Sequence, residues 1–359
     1  MLRIDVSKIG FLQKTLFHLL IIAVAGGAIY SNTLEVPFQW DEHYTLTSNP
    51  IIKDLGYFVK PSNAESFGAH YGSFRDRYVG YLTFALNYKI HGLDVTGYHV
   101  VNIVLHVLNS MLVYCLVILV FRTPFLSATE LQRGGSKYIA LFTGILFVSH
   151  PIQTEAVNYI MGRLPLLMAF FYLSSIVFYV KWRLTPLSSP LTLRGDRGGL
   201  LYLPSLLFAV LAMKTKENSL TLPLALALLE FGLFSGKTGL RLTRLVPFFL
   251  VSLIMPLTLL IAGGGFGEAI GKLNAATRHY TNMPRGHYFF TQLSVLVSYI
   301  RLIFMPVDQN FDYGFIMYDS FFAPQVLLST AFHLLLISSG IYLFVRSSRG
   351  NPALRLPAI

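Results

Sequence analysis

The stretch YHVVNIVLHVLNSMLVYCLVILVF at residues 98–121 decides the fold class. It contains no charged residue and is longer than the roughly 20 apolar residues with which a helix crosses a bilayer. Two histidines and two asparagines interrupt it, at His99, Asn102, His106 and Asn109. Their spacing of three, four and three residues places them on one helical face, which must point into a bundle. Hydrogen bonds between helices explain that face, and for His99 and Asn102 the lining of a polar cavity explains it equally well.

The composition extends this conclusion to the whole chain. Of its 359 residues, 54% are hydrophobic and 13% are charged, and the mean hydropathy is +0.57. One soluble core cannot bury that much apolar surface, so the sequence predicts an all-α polytopic membrane protein. Two further apolar stretches, Tyr78 to Ile90 and 289–305, suit interfacial or re-entrant helices at the outer face. The eight predicted spans are 15–31, 98–121, 138–150, 164–180, 200–213, 218–234, 245–262 and 325–345.

The basic residues predict the orientation. Sixteen of the 28 lysines and arginines fall in alternating segments that the positive-inside rule assigns to the cytoplasm. We therefore expect both termini in the cytoplasm and the two long polar segments, about 32–97 and 263–324, at the outer face. The net charge of +11 is then a topology signal, which predicts the lipid bilayer as a partner and argues against nucleic acid. Because the sequence has no Asn-x-Ser/Thr sequon, we expect a bacterial inner membrane with a periplasmic active face.

An acidic run, Trp40-Asp41-Glu42-His43, follows the first predicted span. Other charged residues stand where the later spans meet the outer face. Acids and cations around one outward cavity suit an anionic lipid-linked substrate, with cations at the phosphate and a carboxylate at the reacting hydroxyl. The acids are Asp41, Glu42 and Glu155, and the cations are Arg77, Arg163, Lys214 and Lys216.

Simpler explanations exist for several of these charges. Glu155 falls in the first turn of a helix that follows Pro151, where a carboxylate suits the helix dipole. Arg163 interrupts an apolar segment, where an unpaired charge is costly, so it either pairs with Glu155 or binds an anionic group. The polar run 214–218 is also typical of a solvated turn.

Metal binding is a further alternative. Asp41, His43, His150 and Glu155 have suitable ligand chemistry, although no tight ligand spacing supports a site. The sequence therefore assigns no metal ligand and leaves a divalent metal as a candidate cofactor.

At these residues the chain resembles the GT-C superfamily of multi-span glycosyltransferases. It is most similar to the transmembrane O-mannosyltransferase branch that normally carries a C-terminal tetratricopeptide array. Five ordered motifs carry the resemblance and cover nearly the whole chain. They are Phe38-Gln39-Trp40-Asp41-Glu42; Arg77 ahead of Leu82-Thr83-Phe84, with Asn87, His91-Gly92-Leu93-Asp94, Gly97-Tyr98-His99, Asn102 and His106; His150-Pro151 with Thr154-Glu155-Ala156-Val157 and Gly162-Arg163; Lys216-Glu217; and Tyr299-Ile300-Arg301-Leu302 with Pro306 and Phe311-Asp312-Tyr313.

The chain departs from the family pattern in three places. Glu42 stands where the family usually has a second aspartate, and Tyr78 replaces the proline that follows the first-loop arginine. No tetratricopeptide repeats follow span 325–345. We therefore expect a single membrane-embedded glycosyltransferase domain over 1–359, whose acceptor is less defined than its chemistry.

The resemblance implies a GT-C-like bundle and a reaction. A sugar, mannose or another hexose, would pass from a polyprenyl-phosphate donor to an acceptor hydroxyl on a protein or glycan. Asp41 is implied as the general base, and Glu42 would orient Asp41 or the acceptor. The reaction would invert the anomeric carbon, because a single displacement needs one base and no enzyme nucleophile.

The resemblance also implies a set of substrate-binding residues. Arg77, Arg163 and Lys216 would hold the leaving phosphate. The sugar pocket and the rest of the substrate site would comprise His99, Asn102, His150, Glu155 and Glu217.

Two other classes of protein would use similar residues. A transporter or flippase of lipid-linked saccharides would need polar residues through both halves of the bundle and an inverted repeat. Here the polar residues concentrate in the outer half and no such repeat is visible. A noncatalytic membrane scaffold is the second alternative, and it would leave Asp41 and Arg163 without a role.

Overall fold

The computed structural model describes residues 6–127, 135–185, 199–262 and 284–348. Throughout these ranges the chain is helical or irregular, and no strand forms. Within the same ranges, five stretches are long and apolar enough to cross a membrane, judged by length and composition: Lys14–Thr33, Val95–Phe121, Ile160–Leu184, Thr238–Thr258 and Pro324–Arg346. The all-α polytopic membrane class is therefore confirmed, and the number of eight crossings stays a prediction.

Fourteen α-helices occur in the part of the chain that the structure describes. In chain order they are α1 (Val6–Ile29), α2 (Gly56–Val59), α3 (Ala69–Asp76), α4 (Tyr78–His91), α5 (Val95–Phe121), α6 (Ser136–Ser149), α7 (Thr154–Asn158), α8 (Arg163–Leu184), α9 (Gly199–Met213), α10 (Leu222–Leu233), α11 (Thr238–Ser252), α12 (Ile254–Ala262), α13 (Arg285–Phe304) and α14 (Pro324–Ser348). Short 3₁₀ or π turns connect several of them, at Ser31–Thr33, His43–Thr47, Ile51–Lys53, Pro61–Phe67, Pro151–Gln153, Ile160–Gly162 and Glu217–Thr221.

Most predicted spans coincide with helices, but span 245–262 is broken. It divides into the end of α11 and all of α12, with the break at Leu253. Pro256 accounts for this break, because proline has no N–H to bond the carbonyl of Ser252 one turn earlier. The apolar run 289–305 forms α13, and its placement in the membrane stays a prediction.

The predicted domain 1–359 contains two compact units, Met1–Ala227 with Gly236–Met255, and Leu228–Ser235 with Pro256–Ile359. In the second unit α13 packs against α14. There the Tyr318 N–H donates to Thr291 Oγ1 at 3.0 Å, which attaches the connection between these two helices to α13. The predicted outer segment 263–324 falls partly outside the described residues.

Helix α5 is the centre of the first unit and packs against α1, α6 and α8. The four polar side chains predicted on one face of α5 are all buried. His106 Nε2 donates to the carbonyl of Val148 at 3.1 Å, and Asn109 Nδ2 donates to the carbonyl of Leu166 at 2.9 Å. Around His106 and Asn109 the polar face of α5 therefore forms hydrogen bonds to neighbouring helices.

The outer segment 32–97 is folded rather than extended over the surface. Its short helices enclose an aromatic cluster in which Phe58, Phe74, Tyr81 and Phe84 are buried. Neighbouring rings meet edge to face, for example Phe58 and Phe74 with centroids 5.0 Å apart. The stretch from Tyr78, predicted as an interfacial helix, forms α4 and packs beside this cluster. A packed cluster of this kind gives the charged residues on its surface a fixed position.

Candidate active site

The acidic run lies at a sharp turn of the outer segment. Trp40 has a left-handed backbone with φ of 50°, and the chain then enters the π turn His43–Thr47. This turn places Asp41 at the surface and Glu42 in the interior, where Glu42 is only 1% exposed. The two adjacent acids therefore have different environments.

The Glu42 carboxylate is bonded to the backbone on both sides. Its Oε2 accepts the Gln39 N–H at 2.8 Å, and its Oε1 accepts the Met161 N–H at 3.0 Å. Burial raises the pKa of Glu42, while these backbone N–H groups oppose the increase and the Asp41 charge adds to it. Glu42 thus joins the outer segment to the 3₁₀ turn that precedes α8.

The Asp41 carboxylate is exposed and receives a hydrogen bond from the Tyr159 hydroxyl on its Oδ1. Its main-chain carbonyl accepts from the Thr45 N–H at 2.7 Å and from Thr45 Oγ1 at 2.8 Å. Tyr81 of α4 lies close enough for the Asp41 charge to help raise its pKa, although burial is the main cause. An exposed carboxylate with a fixed backbone is available to accept a proton.

Arg77 and Glu217 form an ion pair in which each side chain is partly exposed. Arg77 Nη2 and Nε lie 2.8 and 3.0 Å from Glu217 Oε1. Burial alone would raise the pKa of Glu217, but its own backbone N–H and the Arg77 charge bring it below its usual range. Burial is the main cause of the raised pKa of Tyr81; the Arg77 charge lowers this pKa and the Asp41 charge raises it, so both charges lie within electrostatic range of the same tyrosine.

Lys216 lies within electrostatic range of Arg77, Glu217 and Glu155. Burial lowers the pKa of the Lys216 ammonium, and the Arg77 charge lowers it further, while Glu217 and Glu155 oppose this. Burial raises the pKa of Glu155, and Lys216 opposes that shift. A hydrogen bond of 3.1 Å from the Val79 N–H to the Lys214 carbonyl fixes the turn that carries Lys216 against α4.

Six predicted site residues are therefore brought together in the first unit. They come from the outer segment, the start of α4, the helix α7 and the turn after α9. They are Asp41, Glu42, Arg77, Glu155, Lys216 and Glu217.

Arg163 has a different position from the predicted one. It is fully buried, and its guanidinium donates to Asn87 Oδ1 and the Tyr98 carbonyl at 2.9 Å and to Asn102 Oδ1 at 3.1 Å. It also packs over the Phe84 ring, 4.5 Å from the centroid. The donors are directed at neutral oxygens, so neither the pair with Glu155 nor a contact with a phosphate forms here.

His99 and Asn102 are likewise buried, at 0% exposure. His99 Nε2 donates to the Val36 carbonyl at 2.8 Å, which fixes the start of the outer segment to α5. Asn102 Nδ2 lies 3.1 to 3.3 Å from the carbonyl oxygens of Val157, Tyr159 and Ile160. These carbonyls lie where α7 ends, and a broken helix needs such donors because its last carbonyls have no partner in the helix. His99 and Asn102 therefore act on the backbone, and not as an open cavity lining.

His150 is half-buried and forms the N-cap of the turn Pro151–Gln153. Its Nδ1 accepts the Ile152 N–H at 3.2 Å. This contact explains the His150-Pro151 pair as the end of α6 and the start of the next turn. Contact of His150 with a sugar stays a prediction.

The candidate metal ligands do not form a cluster. Among the residues that the structure describes, no group of three or more His, Cys, Asp and Glu side chains could hold a metal ion. Asp41, His43, His150 and Glu155 therefore do not combine, three or more together, into a metal site.

Tyr159 is the site residue that the sequence did not predict. A single tyrosine between two helices has no periodic pattern, and its contact with Asp41 joins residues 118 positions apart. The nearest signal was the interruption of the apolar pattern between Pro151 and Arg163.

Several curated proteins are similar to part of this chain. A protein O-mannosyl-transferase of Caenorhabditis elegans is 32% identical over 171 residues, which are 46% of this chain and 23% of that protein. Protein O-mannosyl-transferase TMTC2 of Homo sapiens is 31% identical over 166 residues, 45% of this chain and 18% of that protein. Protein O-mannosyl-transferase Tmtc2 of Drosophila melanogaster is 28% identical over 304 residues, 80% of this chain and 29% of that protein.

The resemblance to the protein O-mannosyl-transferases is confirmed. The chain spans less than a third of the length of these relatives. No protein-family model matches the chain, and no solved structure matches it. The three relatives are animal proteins, so they give the expected bacterial inner membrane and periplasmic face no support.

Proposed function

We propose that this chain is a membrane-embedded mannosyltransferase of the GT-C type. It transfers mannose from a polyprenyl-phosphate donor to a hydroxyl of a protein, at the membrane face that carries Asp41. The names of the relatives support the sugar and the acceptor class. The observation that carries the proposal is the exposed Asp41 carboxylate, whose charge acts on Tyr81 together with that of Arg77, while the Arg77 charge also acts on Lys216.

The reaction needs one base and one site for the leaving phosphate. The acceptor oxygen attacks the anomeric carbon, its proton passes to Asp41, and the bond between that carbon and the phosphate oxygen breaks. The electron pair of the broken bond stays on the phosphate, where Arg77 and Lys216 stabilise the added charge. A positioned general base contributes about 10²- to 10⁴-fold to the rate.

The environment of Glu42 supports inversion. A retaining enzyme needs a second carboxylate within reach of the sugar as a nucleophile. Glu42 is buried and both of its oxygens accept backbone N–H groups, so it is not such a nucleophile. Asp41 then acts alone in a single displacement, and Glu42 orients it through the backbone.

Arg163, His99 and Asn102 have a supporting role in this proposal. Their hydrogen bonds join α4, α5 and the segment before α8, which together carry the site. The phosphate is assigned to Arg77 and Lys216, which are both partly exposed.

The proposal is tested with membranes that contain the full chain. Polyprenyl-phosphate mannose labelled in the sugar is added, and label is followed into protein, glycan and lipid fractions. We expect Asp41→Asn to lower transfer to protein by about 10²-fold or more, because the base is lost. Glu35→Gln is the matched control, since Glu35 is an exposed acid in the same outer segment. Transfer at the wild-type rate by Asp41→Asn contradicts the assignment of the base, and the absence of transfer by the wild type favours the transporter or scaffold class.

A further inference from the structure

The hydroxyl of Tyr159 is directed at the reacting carboxylate. It donates to Asp41 Oδ1, and this bond joins the outer segment to the residues that precede α8. Tyr159 is in none of the motifs that identify the family resemblance. The contact of Tyr159 with Asp41 therefore adds a residue to the site that has no role in the proposed transfer reaction.

The backbone of Tyr159 is fixed from three directions. Its N–H donates to the Glu155 carbonyl at 3.0 Å, and its carbonyl accepts from Asn102 Nδ2 at 3.1 Å and from the Gly162 N–H at 2.9 Å. A side chain at Gly162 would collide with the Ala156 carbonyl, so the turn has this shape only with glycine there.

The residues around Tyr159 are fixed as well. Asn102 is itself bonded to Arg163, which also donates to the carbonyl of Tyr98 on α5. One turn below, Glu42 accepts the Met161 N–H. The Tyr159 ring packs against the aromatic cluster of the outer segment. Asn102, Arg163 and Glu42, which surround Tyr159, are thus themselves held by hydrogen bonds. Such support is what a precisely positioned hydroxyl needs.

We propose that Tyr159 is a positioning residue for proton transfer, whose hydroxyl holds Oδ1 of Asp41 so that Oδ2 meets the acceptor hydroxyl. This inference rests on the proposed function. A carboxylate without this bond would rotate about its last torsion, and fewer of its orientations would be productive.

The experiment compares wild type, Tyr159→Phe and Tyr172→Phe in the same membranes. Tyr172 is a matched control on α8, because its hydroxyl also has a side-chain partner, Thr221 Oγ1 at 3.3 Å. For Tyr159→Phe we expect kcat to fall about tenfold or more at neutral pH, with the donor KM unchanged. Tyr172→Phe leaves kcat and the donor KM at the wild-type values.

The other outcomes each overturn the inference. A wild-type kcat in Tyr159→Phe removes the positioning role while Asp41 remains the base. A rise in the donor KM with an unchanged kcat makes Tyr159 a substrate contact. The thermal unfolding midpoint in detergent is measured in parallel, and a loss of kcat that follows a loss of folded protein assigns a structural role. If Asp41→Asn transfers mannose at the wild-type rate, the proposed base fails and the inference fails with it.

Discussion

Glu42 Oε1 accepts a hydrogen bond of 3.0 Å from the Met161 N–H, so an acid of the outer segment is bonded to the turn that leads into α8. The other oxygen of the carboxylate accepts the Gln39 N–H at 2.8 Å. A buried carboxylate is costly unless such donors surround it. The bond therefore explains how an acidic residue is accommodated where it is 1% exposed, and how its neighbour Asp41 obtains a fixed backbone.

Glu42→Gln is expected to lower the free energy of unfolding by about 1–3 kcal/mol. The glutamine amide has one oxygen acceptor, so its nitrogen would face the second backbone N–H. The thermal unfolding midpoint of the purified protein in detergent measures the effect, with Glu35→Gln as the exposed control. An unchanged midpoint together with lost transfer would give Glu42 a chemical role instead of a positioning one.

Glu217 should stabilise the fold in a pH-dependent way. Its carboxyl has a pKa below the ordinary 4.5, with burial opposed by its own backbone N–H and by Arg77. A lowered carboxyl pKa contributes stability above the unfolded-state value, and this contribution is lost as the pH falls through the folded-state value. We expect the unfolding midpoint of wild type to exceed that of Glu217→Gln at about pH 7, and the gap to close as the pH falls through the lowered pKa of the folded state. A gap that widens on acidification would contradict a lowered pKa of Glu217 in the folded state.

The sequence predicted the fold class and the polar face of α5, because both depend on patterns within one helix. The partners of that face could not be predicted. Asn102 and His106 donate to main-chain carbonyls of other segments, and those carbonyls are available only because the chain breaks between α6 and α8. Side-chain spacing identifies the donor face but carries no information about the acceptors.

Arg163 shows the limit of interpreting a charge in an apolar segment. An unpaired charge in such a segment costs free energy, so the sequence predicted that Arg163 pairs with Glu155 or binds an anionic group. The structure instead supplies neutral oxygens, from Asn87, Asn102 and the Tyr98 carbonyl, which lie on two other helices. These oxygens come together only in the folded protein, so no sequence motif predicts them as partners of Arg163.

Arg163→Lys tests whether this arginine supports the fold or binds the donor. Lysine is a point charge and cannot span Asn87 and Asn102, which lie on different helices, so buried acceptors lose their donors. We expect the free energy of unfolding to fall by about 3–5 kcal/mol, as when a buried charged contact is broken. Chemical unfolding of the detergent-solubilised protein measures this value. A rise in the donor KM with unchanged stability would restore the predicted phosphate contact.

Lys216→Gln tests the proposed phosphate site most directly. Lys216 is half-buried and burial lowers the pKa of its ammonium, so an added phosphate charge would stabilise the protonated form. Loss of one charged contact to the donor is worth roughly 1.5–3 kcal/mol, which corresponds to about a tenfold or greater rise in the donor KM. Lys60→Gln is the matched control, because Lys60 is an exposed lysine of the outer segment. Initial rates at varied donor concentration measure KM in both variants. A wild-type KM in Lys216→Gln would move the phosphate away from this turn and leave Arg77 as the remaining candidate.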